Sequence, residues 1–197
     1  QLDEQGGSAA SYLYAYQIMK QPKLTPQQAQ TVEAYLLQAA QNHHPEAYYL
    51  LAHGYEDGLF GTVQMPLALA NYRNAAERFY PRAMLRLGAL YREGKSLPQD
   101  PLTANRWYLL CSKQGHRGCA YNAGVMFDDG EGVPQNFDNA FRFFSYAAER
   151  GYAPAINRLA LLYLFGKGVA ADPDKAIALF TEAAGKGSTS ARGDTKQ

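Results

Sequence analysis

The sequence predicts an all-α protein, a right-handed α-solenoid of tandem helix-turn-helix repeats with a 36-residue period. Three observations support this fold class. The chain resembles itself every 36 residues, small and apolar residues recur at helical spacing within each repeat, and glycines or Asp-Pro pairs separate the predicted helices. With 197 residues, the chain can bury a substantial core as one domain.

Three kinds of position carry the repeat: a small residue near the end of the second helix, an aromatic residue late in the first helix, and a glycine after that aromatic residue. Their register continues without a gap across most of the chain, which chance does not produce. The small residues are Ala39, Ala75, Cys111, Ala147 and Ala183, the aromatic residues are Tyr55, Tyr91, Phe127 and Tyr163, and the glycines are Gly58, Gly94, Gly130 and Gly166.

The first helix of each repeat, helix A, is predicted from Ala, Leu, a small residue and Tyr at offsets 0, 4, 5 and 8. Residues three and four positions apart lie on the same face of an α-helix, so this set forms one buried stripe. Ala83, Leu87, Gly88 and Tyr91 give the pattern in one repeat. Gly94 then supplies the left-handed residue that ends a helix.

The second helix, helix B, begins after this glycine loop. Asp100-Pro101 and Asp172-Pro173 each place a capping side chain before a proline at the first helical position. An alanine followed four residues later by an aromatic residue forms the buried stripe of helix B. These pairs are Ala68 and Tyr72, Ala104 and Tyr108, Ala140 and Phe144, and Ala176 and Phe180.

The pattern Ala-x-x-x-Leu-Gly-x-x-Tyr-x-x-Gly, the glycine loops at residues 130–133 and 166–169, and the Ala-Ala-x-x-Gly run at residues 147–151 resemble Sel-1-like repeats. These repeats are relatives of the tetratricopeptide class. The resemblance covers residues 28–187, although residues 60–63 and 95–97 depart from the Gly-x-Gly-Val loop. It implies a solenoid that binds another protein or a peptide.

The expected domain organisation has three parts. Residues 1–11 are predicted to be a flexible N-terminal segment, residues 12–187 a single solenoid of about four to five repeat units, and residues 188–197 a flexible tail. Tyr12, Tyr14 and Tyr16 lie in an atypical first helix, which suits a terminal capping unit. The first residues are polar and lack an initiator Met, so they resemble the start of a mature chain or of a trimmed one, and we expect any export signal to be already gone.

Composition excludes some classes of partner. The chain has 19 basic and 18 acidic residues and no long run of like charges, so it lacks the charge excess of proteins that bind nucleic acid or acidic membranes. Its apolar runs are shorter than the roughly 20 residues that a membrane-spanning helix needs. We therefore expect a protein partner, no nucleic acid and no membrane span.

Cys111 and Cys119 occupy the two positions on either side of a turn where the four other units carry alanine. The fold thus brings two small side chains together there, which is compatible with a disulfide. The resemblance to secreted cysteine-rich Sel-1-like proteins, which link the same two positions, implies this bond and a periplasmic or secreted location. The alternative is two buried free thiols in a cytosolic protein.

No sequence motif indicates catalysis, a metal site or a cofactor. No Ser-His-Asp, Cys-His or HExxH arrangement is present, and the glycine loops at residues 130–132 and 166–168 follow predicted helices, so a phosphate-binding role is disfavoured. His43 and His44 are interpreted as a solvated turn. Asp128, Asp129 and Glu131 form an acidic helix end, either simply solvated or used to bind a cation or a basic partner.

The resemblance places the partner on the concave surface formed by stacked helices A, at positions that the core stripe does not use. Arg82, Arg86 and Arg92 would form a basic patch on this surface, or would only pair with neighbouring acids. The candidate residues are Tyr49, His53 and Glu56; Arg82, Leu85, Arg86 and Arg92; Tyr121, Asn122, Val125 and Asp128; and Asn157, Arg158 and Leu161.

The predicted function is therefore non-enzymatic: a protein-binding module of the bacterial envelope. The resemblance extends to periplasmic Sel-1-like immunity proteins, which neutralise secreted antibacterial effectors such as phospholipases, and this is the preferred specific role. One alternative is an adaptor for envelope assembly or signalling. A second alternative is a cell-wall or β-lactam-binding enzyme, as proposed for some cysteine-rich relatives.

Overall fold

The computed structural model of the chain describes the backbone of residues 2–193 and the side chains of residue 7 and residues 9–187. This part of the chain forms ten α-helices and no β-strand, which confirms the predicted all-α class. From α3 onwards, odd-numbered helices are helices A and even-numbered helices are helices B. The helices are α1 Leu2–Met19, α2 Pro26–Gln41, α3 Pro45–Asp57, α4 Met65–Glu77, α5 Pro81–Glu93, α6 Pro101–Ser112, α7 Arg117–Asp129, α8 Phe137–Glu149, α9 Ala153–Phe165 and α10 Pro173–Gly193.

The chain divides into two compact units, Gln1–Leu87 (unit 1) and Gly88–Gln197 (unit 2), with the division inside α5. The prediction of one solenoid domain over residues 12–187 stays a prediction. Helix α1 begins before residue 12 and α10 continues beyond residue 187, so helix extends into both predicted terminal segments. Gln1 and residues 194–197 lie outside the described residues.

Capping side chains begin several helices as their residue types predict. The Thr25 hydroxyl accepts a hydrogen bond from the backbone N–H of Gln28, and the Gln28 side chain accepts one from the backbone of Thr25. Asp100 accepts from the backbone N–H of Thr103 at 3.0 Å, at the start of α6. Each contact satisfies a backbone donor that the first helical turn leaves without a partner.

The turns between helices use left-handed backbone at fixed repeat positions. Gly58, Gly130 and Gly166 end helices A with φ between 65° and 72°, as the sequence predicts. His43 and Phe79 each adopt φ 61° in the turn that leads into the next helix A, where other repeats have glycine. This conformation disfavours residues with a β-carbon, so the repeat register imposes it on both side chains.

The core of unit 1 lies between its helices A and B and is built from the predicted stripes. Tyr72 is the largest fully buried side chain of this unit, and its ring centroid lies 5.9 Å from that of Tyr49. Leu51, Ala52 and Tyr55 of α3 are also buried. These positions confirm the register of helix A that the sequence predicts.

The core of unit 2 repeats this arrangement, and aromatic rings there pack directly on two helical glycines. Phe144 of α8 is fully buried and lies directly on Gly124 of α7, where an added β-carbon would meet the ring at 2.7 Å. Gly88 receives the ring of Tyr108 in the same way, at 2.4 Å. Alanine occupies the equivalent positions of other repeats, so glycine at these two positions allows the helices to approach more closely.

Candidate protein-binding surface

Four helices A carry the residues that the sequence assigns to a partner surface. Since one stripe of each helix belongs to the core, the remaining side chains differ in exposure and in their contacts. The assigned residues lie on α3 (Tyr49, His53, Glu56), α5 (Arg82, Leu85, Arg86, Arg92), α7 (Tyr121, Asn122, Val125, Asp128) and α9 (Asn157, Arg158, Leu161).

In unit 1, Glu56 and Arg86 bind each other across neighbouring helices A. The Arg86 Nε atom donates to both carboxylate oxygens of Glu56 at 3.1 Å, and Nη2 donates to Oε1. The Tyr72 hydroxyl donates to Oε2 of the same carboxylate at 2.6 Å. The Glu56 side chain is 15% exposed, so this carboxylate is engaged within the fold and is poorly accessible to a partner.

These contacts set the protonation of Glu56. Burial acts to raise the pKa of this carboxyl, but the hydrogen bonds from Arg86 and Tyr72 outweigh burial and hold the pKa below its ordinary value of 4.5. The ionised form of Glu56 is therefore the one that the fold favours. The same contact acts on Tyr72, whose pKa is raised by burial and by its hydrogen bond to Glu56.

In unit 2, two further ion pairs join residues that are distant in the sequence. Arg92 contacts Glu131 through Nη2 at 2.7 Å and Nε at 2.8 Å, and the hydrogen bond to Glu131 raises the pKa of Arg92. Arg158 contacts Asp128 at 3.3 Å. Arg86 and Arg92 thus pair with acidic neighbours, which is the alternative to a free basic patch that the sequence left open.

The pairs Glu56–Arg86 and Asp128–Arg158 occupy the same two repeat positions, two periods apart. The two repeats differ in helix B, where Phe144 occupies the position equivalent to Tyr72, whose hydroxyl donates to Glu56. Burial consequently dominates and raises the pKa of Asp128, with Arg158 opposing it. Asp128 is thus a less well stabilised carboxylate than Glu56.

Val125 is a second correction to the predicted surface. Its side chain is only 4% exposed and packs in the core cluster that includes Phe144, Ile156 and Leu159. A residue so covered cannot contact a partner without a rearrangement. His53 and Leu161 hold the same repeat position in other units and are exposed, at 50% for the His53 side chain and 37% for Leu161.

A pocket of about 290 Å³ in unit 1 brings three of the predicted residues together. Tyr49 and His53 of α3 and Arg82 of α5 line it, and His53 pairs with Asp57 at 2.9 Å. Leu50 adds an apolar surface. The other lining residues, Tyr16, Met19 and Lys20, come from α1 and the residue after it, which sequence reasoning treated only as a cap.

The larger cavity in unit 2, about 560 Å³, lies away from the predicted surface. Its lining residues come from helices B, among them Lys113 beside α6 and Phe141, Arg142 and Tyr146 of α8. None of the helix-A candidate residues lines it. Its mixture of rings and both signs of charge indicates no particular ligand, so size alone does not make it the binding site.

Cys111 and Cys119 form a disulfide in unit 2, with their Cα atoms 5.8 Å apart and both side chains fully buried. The ring of His116 lies close enough that one of its nitrogens and both sulfurs are within 4.8 Å of one another. This third residue was not anticipated from the sequence. Metal binding at sulfur needs thiolates, which the disulfide removes.

Four consecutive segments of the chain match the Sel1 repeat, at residues 45–78, 81–116, 118–152 and 153–188, which together make up more than half of the chain. The chain belongs to the Sel1 repeat family. Each matched segment covers most or all of one helix A and of one helix B, whereas α1 and α2 lie outside the matched residues.

Solved structures of Sel1 repeat proteins share the fold. A protective antigen of uropathogenic Escherichia coli with an SLR fold is 27% identical, with a TM-score of 0.85 over 93% of this chain and 39% of its own. A Sel1 repeat protein from Oxalobacter formigenes is 27% identical, with a TM-score of 0.83 over 91% of this chain and 73% of its own. The chain thus spans well under half of the Escherichia coli antigen.

An immunity protein from Pseudomonas aeruginosa is more distant, at 20% identity and a TM-score of 0.57, over 91% of this chain and 65% of its own. This likeness concerns the fold. No curated protein matches the chain significantly.

Sel1 repeats form a protein-interaction scaffold that is generally non-enzymatic. The family therefore agrees with the coarse functional prediction, a module that binds protein. None of the helices within residues 2–193 combines the length and the hydrophobicity that a membrane-spanning helix requires.

Proposed function

We propose that this Sel1 repeat chain is a non-enzymatic module whose protein partner contacts the exposed side chains of helices A. The observation that carries the proposal is that each unit leaves helix-A side chains outside its core. His53 and Arg82 are exposed in unit 1, and Asn157 and Leu161 are exposed in unit 2. A rigid helical scaffold lowers the entropy lost when such side chains are ordered by a partner.

The proposed compartment is the periplasm or the extracellular space. The buried Cys111–Cys119 disulfide supports this location, because structural disulfides persist in oxidising compartments and are rare in reducing ones.

The specific role that we propose is immunity, meaning neutralisation of a secreted antibacterial effector such as a phospholipase. Membership of the Sel1 repeat family supports protein binding, and a protein named as an immunity protein shares the fold. Because that likeness is below 25% identity, it supports the scaffold only, and the effector has to be found by experiment.

Affinity capture from envelope extract tests the proposal. The baits are the wild-type chain, a helix-A variant with His53→Glu and Asn157→Arg, and a helix-B control with Arg106→Ala and Arg142→Ala. All four substituted residues are exposed, so each bait should remain folded. We expect one protein to be captured by the wild type and the control and lost with the helix-A variant.

Capture that survives the helix-A variant but not the helix-B control would place the interface on helices B. For the immunity role, the captured protein should be a secreted toxin, and co-expression should restore growth of cells that carry the toxin in their periplasm. A captured assembly or signalling protein, without such rescue, would replace immunity by an adaptor role.

A further inference from the structure

The pocket of about 290 Å³ in unit 1, which we call the anchor pocket, combines positive charge with apolar and aromatic walls. Lys20, which directly follows α1, and Arg82, in α5, supply the positive charge. The Lys20 ammonium lies 4.9 Å from the centroid of the Tyr16 ring, which orients this cation at the pocket wall. Met19 and Leu50 form the apolar part of the lining.

Both cations lack an acidic partner among the residues that the structure describes. The nearby carboxylates contact other residues: Glu46 lies 3.0 Å from a ring nitrogen of His44, Asp57 pairs with the pocket residue His53 at 2.9 Å, and Glu56 pairs with Arg86. These three carboxylates therefore have other contacts, whereas Lys20 and Arg82 lie together at one pocket. Such an arrangement attracts an anion from outside the chain.

The repeat itself does not require an arginine at position 82. The equivalent residues of the other repeats are Glu46, Gly118 and Pro154, which share neither charge nor size with it. The Arg82 side chain is exposed and contributes nothing to the buried stripe of α5. Its charge nevertheless affects Tyr49, another lining residue of the pocket. Burial raises the pKa of Tyr49, and the positive charge of Arg82 partly offsets this rise.

The occupant must match both halves of the pocket. A guanidinium offers two parallel N–H donors to a carboxylate, and an ammonium beside it adds a second positive charge. The apolar wall of Met19 and Leu50 suits a hydrocarbon side chain next to that carboxylate. An acidic residue followed by an aliphatic residue has this combination.

We infer that the anchor pocket binds an acidic side chain of the protein partner, with an adjacent aliphatic residue against Met19 and Leu50. The inference rests on the proposed protein-binding function and deepens it by naming the chemistry of one contact. It also gives α1 a role beyond capping, since α1 and the residue after it provide Tyr16, Met19 and Lys20.

The test is a titration of the full isotopically labelled chain with the dipeptide acetyl-Glu-Leu-amide. The NMR signal of the Arg82 side-chain Nε–H is recorded at each dipeptide concentration. We expect a saturable shift of this signal. Binding of acetyl-Gln-Leu-amide should be weaker by about tenfold, because a charge-assisted hydrogen bond is lost. Equal binding of the two dipeptides would overturn the inference.

Three variants complete the test. Arg82→Gln and Lys20→Gln should each weaken binding of acetyl-Glu-Leu-amide, whereas Lys23→Gln, an exposed lysine outside the pocket, should not. All three should melt as the wild type does. Inorganic phosphate that produces the same shifts and displaces the dipeptide at lower concentration would replace a carboxylate anchor by a phosphate anchor and so overturn the inference.

Failure of the anchor pocket can be distinguished from failure of the proposed protein-binding function. If the wild type and the Arg82→Gln/Lys20→Gln variant capture the partner equally, the anchor pocket is wrong while protein binding stands. If the dipeptide binds as expected but envelope extract yields no partner, the pocket stands and the proposed function fails.

Discussion

The guanidinium of Arg86 donates to both carboxylate oxygens of Glu56, 30 residues earlier in the chain, and the Tyr72 hydroxyl donates to the same carboxylate. A helix A is thus joined to the next helix A and to its own helix B by one acidic side chain. This three-residue contact joins three helices of the repeat, and it uses the charges of Glu56 and Arg86 within the fold.

Glu56→Gln should lower the free energy of unfolding at pH 7 by about 1 to 3 kcal/mol, because it leaves a partly buried guanidinium without a counter-charge. The folded-state pKa of Glu56 is lowered, so its contribution is present above the unfolded-state pKa and is lost as the pH falls through the folded value. The difference between wild type and variant should therefore shrink below pH 4.5.

Urea unfolding of both proteins from pH 7 to pH 3 measures this difference. The exposed Glu77→Gln is the matched control and should change stability by less than about 0.5 kcal/mol. A Glu56→Gln penalty that stays constant across this range would show that ionisation of Glu56 does not stabilise the fold.

The same contact should be transferable to unit 2. Phe144→Tyr combined with Asp128→Glu recreates, beside Arg158, the three residue types found at Tyr72, Glu56 and Arg86. We expect the two substitutions to couple favourably by about 1 kcal/mol in a double-mutant cycle, since the new hydroxyl gains a carboxylate acceptor. The pKa of the carboxyl at position 128, measured by NMR, should be lower in the double variant than in Asp128→Glu alone. Additive substitutions and an unchanged pKa would refute the equivalence of the two repeats.

Gly124→Ala should destabilise the chain by about 1 to 3 kcal/mol, because the added methyl group would meet the Phe144 ring at 2.7 Å. Thermal unfolding by circular dichroism measures the change. Gly185→Ala on α10 is the control, since nothing lies within 4 Å of a β-carbon added there. That variant should gain up to about 1 kcal/mol from helix propensity. An unchanged melting temperature for Gly124→Ala would contradict the close packing.

Replacing both cysteines by alanine should preserve the fold, because alanine holds these positions in the other repeats. The loss of the cross-link should lower the free energy of unfolding by about 2 to 3 kcal/mol on the chain-entropy model. Denaturant unfolding of the double variant measures this, and thiol titration of the denatured, unreduced wild type checks the bond. Two titratable thiols would contradict both the disulfide and the proposed compartment.

The sequence predicted the helix register well because the core stripe depends on local spacing. Leu51 and Tyr55 are buried and Gly58 ends its helix, as their repeat positions require. Exposure of the remaining helix-A positions depends on neighbouring repeats, which spacing does not specify. His53, Val125 and Leu161 share one position, yet only Val125 is covered by the core cluster.

Charge pairing was harder to predict for the same reason. Arg86 and Glu56 are 30 residues apart, so their contact follows from how helices lie beside each other and not from either helix alone. The anchor pocket was missed because Tyr16, Met19 and Lys20 lie outside the repeat, where no register relates them to Arg82. Arg82 itself was a candidate only because the resemblance assigns this position of helix A to the partner surface.

Site-specific photocrosslinking can test the claim that the partner contacts helices A. A benzophenone side chain is placed at His53 or Asn157 on helices A, and at Arg106 or Arg142 on helices B, in the cells that make the protein. We expect a covalent adduct with the same partner from both helix-A positions and none from the helix-B positions. Adducts from Arg106 or Arg142 alone would contradict the claim.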